Sequence, residues 1–128
     1  MSSTLYELLT EITTELPGWL HTSVVDRETG MSLASLSQGD PLEAAGADAF
    51  HSDLYRMTAA LLEGLPLGDQ ADSMVLSSQR ATFVSVPMAD MNYLWLVVTE
   101  RRMTVGFTQA LMRKHQARIE ESVRALLH

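Results

Sequence analysis

The chain contains no cysteine, which excludes disulfides, iron–sulfur clusters and thiolate zinc sites. Its single lysine, Lys114, sits inside a helical pattern, so there is no G-x-x-x-x-G-K-[ST] phosphate loop, and no G-x-G-x-x-G follows a strand. The four histidines, His21, His51, His115 and His128, are far apart and form no H-x-x-x-H pair. No serine lies in a G-x-S-x-G elbow, and Ser35, Ser37, Ser77 and Ser78 fall at strand ends, where they read as turn formers. Glu120 and Glu121 are adjacent on a helix and point apart, which suits solvation better than acid–base work. These absences predict no catalytic residue, no metal and no cofactor, hence a non-enzyme. Long apolar runs are missing too. The longest, residues 94–98, is strand-sized and far below the roughly 18 residues that span a bilayer. Residues 1–7 lack the basic and apolar regions of a secretory signal. A cytoplasmic protein without membrane insertion is expected.

The chain does have core. It is 128 residues long and 46% hydrophobic, which matches one domain spanning 1–128. A formal net charge of −7 argues against nucleic acid as a partner. The charge is uneven. Residues 1–100 carry 3 basic and 14 acidic side chains, whereas 101–128 carry 6 basic and 2 acidic. The basic end reads either as the solvated face of a terminal helix or as a docking surface for an acidic partner. The eight methionines fall mostly at core-type positions.

Thr4 followed by Glu7 is a capping-box pattern, and Leu5, Leu8, Leu9, Ile12 and Leu16 then recur at helical spacing until Pro17-Gly18. Residues 19–26 and 31–36 read as a hairpin turned by Asp26-Arg27-Glu28-Thr29-Gly30. Asp40 is an expected N-cap and Pro41 the first residue of a second helix over 41–63. Strands follow at 72–78, 81–88 and 93–99. The last is apolar on both faces, which places it centrally with helices on both sides. A helix capped by Thr104 closes the chain, with Val105, Thr108, Met112, His115, Ile119, Val123 and Leu126 inward. His115 there is expected to be a satisfied histidine at the core edge. The order α-β-β-α-β-β-β-α predicts an α+β sandwich around a five-stranded, mainly antiparallel sheet.

The second helix offers two stripes. Ala47, Phe50, Leu54, Met57 and Leu61 share a narrow arc and are the expected core face. Leu42, Ala45, Ala49, Ser52, Arg56 and Ala60 form a second, mostly small stripe. It reads either as good helix formers on a solvated face or as a close helix–helix contact across a two-fold axis.

Taken together, Leu5-Tyr6-Glu7-Leu8-Leu9 running into Leu16-Pro17-Gly18, Val24-Val25-Asp26 with Thr29-Gly30-Met31, the alanine-rich second helix, Ser73-Met74-Val75-Leu76-Ser77, Tyr93-Leu94-Trp95 and the long last helix resemble the roadblock / dynein light chain family over nearly the whole chain. Many relatives have a tighter Asp-Gly hairpin, where this chain inserts Arg27-Glu28-Thr29. The resemblance implies a homodimer joined through the second helix and the third strand. Leu42, Ala45, Ala49, Ser52, Arg56, Ala60, Met74, Val75 and Leu76 would be the interface residues. It also implies scaffolding or regulation of a small Ras-like GTPase, for which Arg56 is the chosen partner-binding residue. A PAS- or GAF-like small-molecule sensor is the alternative and would need an internal cavity. A small hydrolase is a second rival and would need a Ser–His pair within hydrogen-bond reach.

Overall fold

The computed structural model describes residues 4–39, 41–66, 72–88 and 90–127, and of residues 41–45 the backbone only. Its elements are α1 (Leu5–Thr13), β1 (Trp19–Asp26), β2 (Ser32–Ser37), α2 (Pro41–Glu63), β3 (Met74–Ser77), β4 (Ala81–Pro87), β5 (Tyr93–Glu100) and α3 (Val105–Leu126). The five strands form one sheet in the order β2-β1-β5-β4-β3, and every neighbouring pair is antiparallel. The expected order and α+β class are those observed. The expected N-cap Asp40 lies outside the described residues.

Local chemistry sets the element ends. The Thr4 hydroxyl accepts from the Glu7 amide while the Glu7 carboxylate accepts from the Thr4 amide, so two orphan donors of α1 are satisfied together. α1 then ends at Thr13, three residues before the last position that Pro17 allows, yet Leu16 still packs inward. Thr104 caps α3 through the Phe107 amide. Between β1 and β2 the turn closes by Gly30 N–H to the Asp26 carbonyl, 2.9 Å. Gly30 is needed there twice over: its φ is +76°, and a Cβ would sit 2.8 Å from Ala49 Cα on α2.

β5 is buried on both faces, as its unbroken apolar run requires. On one face α1 and α3 close over Val24, Val84, Trp95 and Val97, with Leu5, Leu8, Leu9, Ile12, Met112, Ile119 and Val123 filling the gap. Leu111 joins this core although it lies off the expected stripe, whereas Leu126 is exposed. Trp95 keeps its indole N–H satisfied by donating to Thr22 Oγ1 (3.0 Å), whose own hydroxyl donates to the Leu96 carbonyl.

The two terminal helices also hold each other by charge. Arg118 reaches Glu11 at 3.1 Å, and Glu15 accepts from Lys114 and from His115 Nε2, both at 2.7 Å. Glu7 takes no part, being spent on its capping box. Much of the basic excess of the last helix is therefore answered within the chain. The hydrogen bond from Lys114, reinforced by His115, holds the Glu15 carboxyl below the ordinary carboxylate range. His115 is the satisfied core-edge histidine expected of it.

Ile119 is wholly enclosed between α3, α1 and the sheet, while Phe107 on the same helix is half-exposed. Ile119→Ala should lower unfolding free energy by about 2–5 kcal/mol. Phe107→Ala should stay within about 0.5 kcal/mol. Urea unfolding at one protein concentration measures both, and equal losses would contradict this placement of the core.

Candidate functional site

α2 lies across the opposite face of the sheet, against β1 and β2. The residues that point at it from the strands are unusually polar. His21 and Ser23 on β1 and Ser85 on β4 share that face with Leu94, Leu96 and Val98. The helix answers in kind. Among its described side chains, the buried ones are Asp48, His51, Ser52 and Tyr55, spaced i, i+3, i+4, i+7.

Asp48 is the anchor. One carboxylate oxygen, Oδ1, accepts from Ser23 Oγ at 2.8 Å and from His21 Nε2 at 2.9 Å. A buried carboxyl group is costly unless it is hydrogen-bonded, and two partners meet that need here. Three residues on, His51 Nε2 lies 2.9 Å from Ser85 Oγ, with its ring stacked on Phe83. Ser52 Oγ donates to the carbonyls of Asp26 and Arg27, tying the helix to the β1–β2 turn. Burial pushes the His51 pKa down, the Asp48 charge opposing it in part. Burial likewise raises the Tyr55 phenol, against the lowering pull of Arg27, whose guanidinium stands 5.7 Å from the ring centre. His21 Nδ1 is buried without a hydrogen-bond partner among the described residues.

The expected core face of α2 is therefore corrected. Phe50, Met57 and Leu61 are 65, 70 and 64% exposed, and Ala47 and Leu54 are only partly covered. The physical reason is the sheet beneath: polar strand residues select the polar stripe of the helix, and the apolar stripe is turned outward. Polar residues at i, i+3, i+4, i+7, together with His21 and Ser23 at alternate positions of β1, were the signal in the sequence.

The small stripe is divided. Ser52 is buried and committed to its own chain, whereas Ala49 is exposed although it adjoins Gly30 of the β1–β2 turn. Arg56 and Ala60 are exposed, and Arg56 is ion-paired with Asp53 one turn away. The side chains of Leu42 and Ala45 lie outside the described residues. In β3, Met74 is half-buried while Val75 and Leu76 are 40 and 41% exposed, and this strand is one open edge of the sheet. The strand is shorter than expected, four residues against seven.

The chemistry this arrangement can perform is limited. His51 and Ser85 do form a Ser–His pair at hydrogen-bond distance, the feature a hydrolase would need. They are 3 and 0% exposed, however, and Asp48 bonds His21 instead of His51. A nucleophile sealed under a helix meets no substrate. No group of three metal-ligating side chains occurs among the described residues. A concavity of about 880 Å3 beside α2 is a surface cleft whose rim includes exposed Glu28, Arg56, Glu63 and Asp90; it is not an internal cavity of the kind a sensor domain encloses. No helix among the described residues is long and apolar enough to cross a membrane.

No protein-family model matches the chain, and no curated protein matches it in sequence. Solved structures match it in fold. A roadblock/LC7 domain from Streptomyces avermitilis superposes with a TM-score of 0.77 at 18% identity, covering 98% of each chain. Myxococcus xanthus MglB superposes at 0.80 with 10% identity, over 94% of this chain and 95% of that one. An MglB described as having a tetrameric arrangement superposes at 0.78 with 16% identity, over 98% and 94%. The chain has the roadblock fold, as its sequence resemblance implied.

The depressed pKa of His51 fixes a pH dependence. Its folded pKa lies below the unfolded value of 6.5, so below that pH the unfolded chain binds more protons and stability falls as pH falls. Thermal unfolding from pH 8 to 5.5 should therefore show a steeper loss in the wild type than in His51→Gln, by up to about 1.4 kcal/mol per pH unit. Parallel profiles would show that His51 is not buried in its neutral form.

Proposed function

We propose that the chain is a non-catalytic homodimeric module of the cytoplasm that scaffolds or regulates a small Ras-like GTPase. The observation that carries the dimer is the outward apolar face of α2, with Phe50, Met57 and Leu61, together with the open edge of β3 with its exposed Val75 and Leu76. Large exposed apolar side chains and an uncovered edge strand are both features that soluble proteins conceal. A two-fold contact that stacks α2 on α2 and extends the sheet through β3 covers both at once. Such a contact needs roughly 800 Å2 per partner to be stable. The GTPase part of the reading rests on the roadblock resemblance. Its support within the chain is negative space: with no phosphate loop and with the Ser–His pair sealed, the chemistry would belong to the partner. Arg56, exposed beside the apolar stripe, is the proposed partner contact, and engaging the GTPase would require it to exchange Asp53 for a partner carboxylate.

Light scattering at micromolar concentration should give twice 14.2 kDa for the wild type. Phe50→Asp and Met57→Asp should each give the monomer mass, because a desolvated unpaired carboxylate costs several kcal/mol. A monomeric wild type would overturn the dimer. Titration against GTP- and GDP-loaded Ras-like GTPases, with phosphate release followed, tests the rest. Binding to one nucleotide state with no turnover by the chain alone is expected, and turnover by the chain alone would overturn the non-catalytic reading.

A further inference from the structure

Strand β3 carries opposite charges at its two ends. Two residues before it stands Asp72, exposed and near enough to α2 to act on the Tyr55 phenol. Three residues after it, in the turn closed by Ser78 N–H to the Ala81 carbonyl, stands Arg80, also exposed. Arg101 thickens the positive end. Its amide donates to the Arg80 carbonyl at 3.2 Å, and its guanidinium lies on the Ser78 carbonyl at 2.7 Å. Arg102, by contrast, is paired with Glu100. Neither Asp72 nor Arg80 has an ion-pair partner among the described residues. The other open edge, β2, is uncharged from Ser32 to Ser37.

We infer that this polarity is a self-recognition code: in the dimer, Asp72 of each subunit meets Arg80 of the other, and the two symmetry-related ion pairs set the strand register. The inference rests on the proposed dimer through α2 and β3, and it adds the occupant of each charge. Two copies of one strand related by a two-fold axis perpendicular to the sheet must run antiparallel. If the four residues of β3 pair along their full length, the axis passes between Val75 and Leu76. Met74 then faces Ser77 of the second copy, and Asp72 comes level with Gln79 of the second copy, beside its Arg80. Arg80 stands on the β4 side of the turn, its carbonyl paired with Arg101, so its backbone lies two strand spacings, about 10 Å, from Asp72 of the second copy, a gap that the extended arginine and aspartate side chains bridge together. A shift of two residues would separate the charges by about 7 Å along the strand. Pairing β3 with a β2 edge would leave both charges unanswered. The edge is thus complementary to itself in one orientation and one register.

Charge exchange tests this without disturbing the fold, since both residues are exposed. Arg80→Glu places two Glu–Asp contacts in its homodimer, and Asp72→Arg places two Arg–Arg contacts in its own. Each homodimer should dissociate roughly tenfold more readily than the wild type, the scale of two exposed pairs reversed in sign. Mixed together, the two variants form only opposite-charge contacts. Their heterodimer should regain wild-type affinity and exceed its statistical share by native mass spectrometry, and the preference should shrink in high salt. A dimeric wild type whose variants mix statistically would overturn the inference and leave the dimer standing. A monomeric wild type would overturn both.

Discussion

Asp48 is the residue on which the arrangement of α2 depends. A carboxylate at that depth must find donors within the protein, and it finds them on adjacent alternate residues of β1, His21 and Ser23. Those bonds have direction, unlike apolar contacts, and they fix both the position of α2 along the sheet and its rotation about its own axis. His51 on Ser85 and Ser52 on the Asp26 and Arg27 carbonyls repeat the constraint one turn further on. Once the polar stripe is pinned inward, Phe50, Met57 and Leu61 can only face outward. The surface available for recognition is a consequence of where the buried polar groups go.

The other side of the sheet is built on the opposite principle. α1 and α3 close over a continuous apolar core centred on Trp95, Val97 and Ile119, and at their rim a small set of ion pairs joins Glu11 and Glu15 to Arg118, Lys114 and His115. Exposed pairs of this sort contribute little energy but do discriminate orientation. The sheet therefore separates two tasks. Non-directional burial below it supplies most of the favourable free energy, and directional hydrogen bonds above it hold one helix in a pose that leaves an apolar face uncovered.

What could be read from the sequence follows this division. Where one face is apolar and the partner layer is apolar, periodicity is enough: α1, the two-sided β5 and most of α3 were legible, as was His115 as a satisfied histidine. α2 was not. Its two candidate faces are both at helical spacing, and a helical wheel ranks them by hydrophobicity alone, whereas the choice is made by strand residues 25 to 34 positions away in the chain, His21, Ser23 and Ser85. The small stripe could not be read as one surface for a related reason. Ser52 is buried under the β1–β2 turn, with two of the turn's carbonyls bonded to its hydroxyl, whereas Ala49 abuts Gly30 but keeps its own side chain exposed. Small side chains report a close approach but do not say of what. The exposed edge of β3 was foreseeable from the resemblance, yet its charge polarity emerges only when the turn brings Arg101 back beside Arg80.

The buried Ser–His pair shows why side-chain identity and distance do not by themselves make a site. His51 and Ser85 are as close as a nucleophile and its base, but the same burial that holds them together depresses the imidazole pKa and shuts out any substrate. The third member that would orient a catalytic base is also misplaced, because Asp48 spends both accepted bonds of Oδ1 on His21 and Ser23. An Oγ with no exposure serves instead as one half of a directional bond between helix and strand. Opening that bond to solvent would require lifting α2, and with it Ser52 from the β1–β2 turn and Asp48 from β1. Access to the pair and integrity of the α2 surface are therefore mutually exclusive: exposing the inner face of α2 would dismantle the hydrogen bonds that set its outer face.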